Sequence, residues 1–222
     1  THASGTTFNR SSGADGALAF YADQTAYVTV RNISFVNGSG GAYAYNSHDL
    51  TFENCVFYNN QLSGSGTLRG GVYLDSSSQC TVRGCRILSN QQGVTVANST
   101  GATVEGNVIS GTGAGVVISG ASSSSVVRGN TIYVHGSVSG ADALNVASPS
   151  ATVQNNILWS DGSSASSNAI EVTTAGQTGF ASNYNLLRRT NVPASFAVWG
   201  AAAQSDLAAW RSASGQDANS LS

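Results

Sequence analysis

Val28-Thr29-Val30-Arg31-Asn32-Ile33-Ser34-Phe35 is the first of seven segments that repeat one another column by column. The others run from Leu50 to Phe57, Cys80 to Ile87, Ala102 to Ile109, Ser125 to Ile132 and Ala151 to Leu158, with a degraded copy from Gly179 to Leu186. Their sixth residues are Ile33, Cys55, Cys85, Asn107, Asn130, Asn156 and Tyr184, spaced by 22, 30, 22, 23, 26 and 28 residues. A period of this size, rigid within copies and variable between them, predicts a solenoid whose loops differ from coil to coil.

Alternation within each copy has period two, which predicts strand and not helix. Positions equivalent to Val28, Val30, Ile33 and Phe35 are apolar or Asn and point inward. Thr29, Thr51, Thr81, Thr103 and Thr152 form an outward column of β-branched residues suited to an exposed strand face. The next outward column reads Arg31, Glu53, Arg83, Glu105, Arg128, Gln154. Its alternating sign places each Arg beside a Glu if parallel strands stack in register, about 4.8 Å apart. This is a solvated charged face with no chemistry of its own, each pair contributing at most ~1 kcal/mol.

The fifth column, Asn32, Asn54, Gly84, Gly106, Gly129 and Asn155, holds only residues that accept positive φ, so the chain bends there. Asn107, Asn130 and Asn156 then sit inward at the bend, where buried amides need partners and can bond one coil to the next. Cys55 and Cys85 share that column in consecutive coils. Their side chains run parallel, a poor geometry for a disulfide, so free thiols are expected there and at Cys80.

A further strand precedes each copy: Ala17-Leu18-Ala19-Phe20, Ala42-Tyr43-Ala44-Tyr45, Gly71-Val72-Tyr73-Leu74, Gly93-Val94-Thr95-Val96, Gly115-Val116-Val117-Ile118, Ala143-Leu144-Asn145-Val146 and Ala169-Ile170-Glu171-Val172. A third short strand carries Phe35, Phe57, Ile87, Ile109, Ile132 and Leu158 inward. Seven coils of three strands give a rod on the order of 34 Å long. Long loops, Asn59–Gly70, His135–Asp142 and Ser160–Asn168, gather on one side, where solenoids usually bind. The expected organisation is a β-helix over 1–189 and a tail over 190–222 that packs on or caps it. In the tail, Ser205-Asp206-Leu207-Ala208-Ala209-Trp210-Arg211 reads as a short capped helix stopped by Gly215.

Bulk composition narrows the function. Charged residues make up 9% of the chain, and all nine basic residues are Arg, against about 25% charged in an average soluble domain. A net charge of −2 gives no case for nucleic acid or an anionic membrane. No apolar run approaches the ~20 residues that span a bilayer. An uncharged polar surface of Ser, Thr, Asn and Gly points to a secreted or cell-surface protein.

The columns Gly-Val-x-Val, Thr-Val-x-Gly-Asn and Ile resemble the right-handed, single-stranded parallel β-helix of the pectate-lyase-like superfamily, over about Ala17 to Leu187. Tyr184-Asn185-Leu186, Leu207-Ala208-Ala209-Trp210 and Gly215-Gln216-Asp217-Ala218-Asn219-Ser220 look like the C-terminal ends of bacterial secreted members, which implies a C-terminal fragment. The resemblance implies an all-β fold, a groove along the first strand and its loops, and acidic or neutral polysaccharides as partners. It does not choose among lyases, hydrolases, epimerases, tailspikes and surface proteins.

Family enzymes place their acids and bases on the outward face of the first strand, read here as Ala19, Ala44, Tyr73, Thr95, Val117, Asn145 and Glu171. A flanking column, Ala17, Ala42, Gly71, Gly93, Gly115, Ala143 and Ala169, is expected to face outward too. Glu171 with Asp142 or Asp161 could supply the two carboxyls that glycoside hydrolysis needs, and His135 a base; the plainer reading is loop carboxylates in solvent. Tyr73 and Asn145 are candidate sugar contacts. So are Tyr133 and Trp159, neighbours on the outward face of the third strand in a column with Val36, Tyr58, Leu88 and Leu187, unless the tail covers them. No metal set is present: the three His are scattered, and neither a cofactor nor a carboxylate set for Ca²⁺ is supported. Two functions remain open. One is an extracellular carbohydrate-directed module, either binding polysaccharide or forming part of a lyase or hydrolase. The other is a non-catalytic structural or adhesive module, stacking end to end through open strand edges.

Overall fold

The computed structural model describes residues 6–11, 17–60, 70–135, 141–164, 166–190 and 195–222. Alternation sets each strand. In Thr81–Arg83, for example, Val82 is buried between a half-buried Thr81 and an exposed Arg83. Three sheets result. The first-strand sheet stacks Leu18–Asp23, Gly40–Tyr45, Val72–Asp75, Gln92–Ala97, Ala114–Ser119, Leu144–Val146, Ile170–Val172 and Ala197–Trp199, with Ala202–Gln204 added antiparallel at the end. The middle sheet stacks Thr29–Arg31, Thr51–Glu53, Thr81–Arg83, Thr103–Glu105, Val126–Arg128, Thr152–Gln154 and Ala181–Asn183. The third stacks Thr7–Asn9, Ser34–Val36, Val56–Tyr58, Arg86–Leu88, Val108–Thr112, Thr131–Val134, Ile157–Ser160 and Leu186–Arg189. Pairing in the middle and third sheets is parallel, and each strand joins the one a full turn later, which makes the chain an all-β parallel solenoid. Seven equivalent middle strands bound about six complete turns, slightly fewer than the seven coils expected from counting copies.

The charged column stacks as the alternation implies. Arg83 meets Glu53 at 3.1 Å and Arg128 meets Glu105 at 2.6 Å, in neighbouring turns. At the following corner Asn32, Asn54, Gly84, Gly106, Gly129 and Asn155 all have φ between 52° and 63°. Tyr184 joins them at 59°, so it occupies the fifth column and not the sixth. The last copy is therefore 180–187, one residue later than the sequence reading, and Asn185 is its inward amide. The N–H groups of Cys85, Asn107, Asn130 and Asn156 donate to Oδ1 of Asn107, Asn130, Asn156 and Asn185 at 2.8–3.0 Å. The Nδ2 groups of the four asparagines donate to the carbonyls of Val82, Val104, Val127 and Val153 in the preceding turn. All four asparagines are buried, so each bond satisfies a group that water cannot reach. Cys55, Cys80 and Cys85 are buried free thiols.

The core is one continuous file of side chains from all three sheets, with Phe35, Phe57, Ile87, Ile109, Ile132, Leu158 and Leu187 supplied by the third strands. Beyond the last turn, helix Leu207–Ser214 is N-capped by Asp206, whose carboxylate accepts from the Ala209 N–H at 2.8 Å. Gly215, at φ 69°, ends it in the left-handed conformation. The helix buries Trp210, whose indole N–H donates to Asp217 at 2.9 Å. Asp217 accepts from Asn185 Nδ2 at 3.0 Å, and the Asn185 N–H donates to Ser220 Oγ at 2.8 Å. The tail thus supplies the partners that a further turn would offer.

Candidate functional site

The outward column of the first-strand sheet reads Tyr21, Tyr43, Tyr73, Thr95, Val117, Asn145, Glu171 and Val198 in continuous register. Tyr21 stands where Ala19 was expected and Tyr43 where Ala44 was. Ala44 is fully buried and pairs with the inward Leu74. In Ala42-Tyr43-Ala44-Tyr45 the small residues face the core, where Phe20, Phe35, Phe52 and Phe57 fill the space they leave. The flanking small column is also corrected, because Gly71, Gly93, Gly115, Ala143 and Ala169 are buried at a corner. A Cβ on Gly71 would lie 2.4 Å from Ile87 Cγ2 and 2.8 Å from the Gly93 carbonyl. Packing demands the smallness there.

Tyr21 stacks on Tyr43 at 5.6 Å, and Tyr73 meets Tyr43 edge-on at 5.5 Å. Tyr45, one column over between Asp23 and Asp75, lies 6.1 Å from Tyr43. The Tyr43 hydroxyl donates to Asp75 at 3.0 Å. Burial and that bond push the Tyr43 phenol well above its usual range, so it remains a neutral donor. Tyr21 is 54% exposed and the other three rings are half-buried, so the rings turn faces and edges to one another along the column and leave part of each side chain in reach of solvent.

At the other end of the column, Glu171 faces Asp142 within hydrogen-bonding reach. Asp142 is 1% exposed and accepts from the Asn168 N–H at 2.8 Å, Asn168 Nδ2 at 2.9 Å and Asn145 Nδ2 at 3.2 Å. Burial raises both carboxyls. The donors around Asp142 favour its ionised form, so the shared proton rests on Glu171, held at about 7 by burial and then by the Asp142 charge. Two carboxyls in contact, one of them sealed from solvent, do not flank a glycosidic bond, which needs separations of about 5–9.5 Å.

Asp161 is not part of that contact. Its carboxylate accepts from the Tyr133 hydroxyl at 2.5 Å on the neighbouring third-strand sheet. Tyr133 lies 4.9 Å from Trp159 and stacks on the exposed His135 at 6.2 Å. Arg188 covers Trp159 at 4.9 Å, and the Trp159 indole N–H donates to Thr190 at 3.0 Å. Arg188 takes the place expected for Leu187, which the one-residue shift of the last copy turns into the core. The sequence candidates therefore fall into three groups: Tyr73 among the tyrosines; Asp142, Asn145 and Glu171 together; and Asp161, Tyr133, His135 and Trp159 together.

Arg189 was not singled out from sequence. Its guanidinium donates to the carbonyls of Gly162 at 2.6 Å and Ser164 at 3.1 Å. Burial lowers its pKa, while the charges of Asp142 and Asp161 oppose the shift, so it links the two acidic groups electrostatically. Asn168 was missed as well; it also accepts a hydrogen bond from Ser195 in the segment after the last turn. Nothing in the repeat marks either residue, because both act through loops. Parts of the three long loops, 61–69, 136–140 and 165, lie outside the described residues. Among the described residues no group of three or more His, Cys, Asp or Glu side chains could hold a metal ion.

Residues 2–132 match the family described as right handed beta helix region. Solved structures similar to this chain include tailspike proteins of Escherichia coli bacteriophage HK620. One mutant, in complex with a hexasaccharide, is 15% identical over 80% of this chain and 41% of its own, with a TM-score of 0.47. Another, in complex with a pentasaccharide, is 15% identical over 79% of this chain and 41% of its own, with a TM-score of 0.46. The chain thus spans about two fifths of the tailspike length. No curated protein matches it.

Proposed function

We propose that this chain, which belongs to the right-handed β-helix family, is an extracellular carbohydrate-binding module that holds a polysaccharide along the outward column of its first-strand sheet. The observation that carries the reading is the unbroken register from Tyr21 through Tyr43 and Tyr73 to Asn145 and Glu171. The partly exposed tyrosines offer apolar ring surface to pyranose rings and hydroxyls to their rims. Asn145 and a protonated Glu171 offer both donors and acceptors at the far end. Successive positions lie about 4.8 Å apart along the rod axis, so an extended glycan can meet several of them at once.

Binding is favoured over cleavage. Asp142 is enclosed by Asn145 and Asn168, and Glu171 has no second exposed carboxyl facing it among the described residues. A polar surface with few charges suits a protein outside the cell. Affinity electrophoresis through gels containing soluble polysaccharides tests the reading. Retardation by at least one polymer, lost in the double variant Tyr43→Ala/Tyr73→Ala, is expected. Uniform mobility in every gel overturns it.

A second reading, a self-stacking structural module, is favoured by one observation. Phe8, in the edge strand Thr7–Asn9, stacks on Phe35 at 5.7 Å and is 48% exposed at the end of the core file. Sedimentation that rises with concentration in the parent chain and not in Phe8→Ser would support this reading.

A further inference from the structure

The carbohydrate reading leaves the class of glycan open, and the distribution of charge addresses it. The chain has no Lys and nine Arg. Arg31, Arg83 and Arg128 lie in the middle sheet, and Arg86, Arg188 and Arg189 in the third. Arg211 is bound to the tail carbonyls of Asp217 and Ser220, and Arg10 follows the edge strand of the third sheet. Arg69 lies outside the described residues. Among the described residues, no Arg, Lys or His occupies either outward column of the first-strand sheet.

What these columns do carry is acceptors and neutral donors. Asp23 and Asp75 flank Tyr45, and Glu171 follows Asn145 near the end of the other column. Asp75 accepts from Tyr43, from Ser76 at 3.1 Å and from Asn98 at 3.4 Å, so its charge is already solvated by the protein. A carboxylate or sulfate on a bound sugar would meet these oxygens with no guanidinium or ammonium in either column, among the described residues, to answer it. Sites that recognise such groups use paired, charge-assisted donors, above all Arg. The arginines among the described residues lie on the other two faces or are held by backbone carbonyls.

We infer that the glycan held on this face carries no acidic groups: a polymer of neutral hexoses or N-acetylhexosamines, with uronic, sialic and sulfated chains turned away. The inference rests on the carbohydrate reading above and goes beyond it, because the family resemblance admits acidic polymers equally.

A glycan array carrying neutral, N-acetylated, uronate-bearing, sialylated, sulfated and free-amino oligosaccharides tests it, followed by titration of the best neutral hit and its closest acidic counterpart at low and high NaCl. Binding to neutral or N-acetylated glycans is expected, at least tenfold tighter than to the acidic counterpart. Raising NaCl should leave the neutral affinity unchanged and narrow the gap, since salt screens only the repulsion. Preference for acidic or free-amino glycans overturns the inference and leaves the carbohydrate reading standing. Absence of any glycan binding removes that reading, and the inference with it.

Discussion

Two columns run up this rod with like residues stacked on like, and they differ in what holds them. Asn107, Asn130, Asn156 and Asn185 are buried, and each is tied to the next by hydrogen bonds at 2.9–3.1 Å. Tyr21, Tyr43 and Tyr73 stand on the outside and touch through ring contacts of 5.5–5.6 Å. The amide column cannot lose a member without stranding a polar group in a dry core. The tyrosine column can, because water replaces whatever is removed. One column therefore specifies the turn and the other is free to specify a ligand.

Asn130→Ala probes the inner column hardest. It leaves the Asn107 N–H without a partner and removes one bond to the Val104 carbonyl, and the orphaned donor costs ~1–3 kcal/mol. Urea unfolding should register that loss, and a change of a few tenths would break the contrast. Tyr43→Ala should cost less, about 1 kcal/mol, because it removes ring contacts and one hydrogen bond at a half-open site. A loss larger than that of Asn130→Ala would mean the tyrosines belong to the fold and not to a ligand.

Glu171 sharpens the contrast through pH. Its folded pKa, about 7, lies above its ordinary 4.5, so the folded chain holds a proton that the unfolded chain releases. That stabilisation is complete below pH 4.5 and is lost as pH rises through about 7. Because Glu171 is partly exposed, screening holds the effect to about 1 kcal/mol. Thermal melts from pH 4 to 8 should show the decline in the parent chain and flatten in Glu171→Gln. Arg83→Ala should do least, a few tenths of a kcal/mol and less in high salt, since its pair with Glu53 is exposed.

The middle strand was legible in the sequence because three independent constraints meet in it: inward apolar residues, alternating charge, and a bend that requires positive φ. The last copy slipped by one residue because Tyr184, a poor candidate for φ 59°, stands where Gly or Asn had marked the bend. The first strand was less legible. Ala42 and Ala44 are too small to announce a core position, and their burial depends on phenylalanines from other strands. The tyrosine column was hidden by that ambiguity, although the Ala-Tyr alternation carried it. Asp142 and Glu171 were named as one of two pairings, which only the register could tell apart. Arg189 left no local trace, because its role comes from carbonyls some 25 residues away in the chain.

The tail's grip on Asn185 has a consequence for how the rod comes apart. In a stack where each turn touches only its neighbours, disorder enters from the ends. At this end the Asn185 N–H is latched by Ser220, its Nδ2 by Asp217, and Leu187 by Leu221, with Trp210 wedged beneath. Amide exchange should therefore be slow at Asn156 and Asn185, the turns that the tail binds as whipping binds the end of a rope.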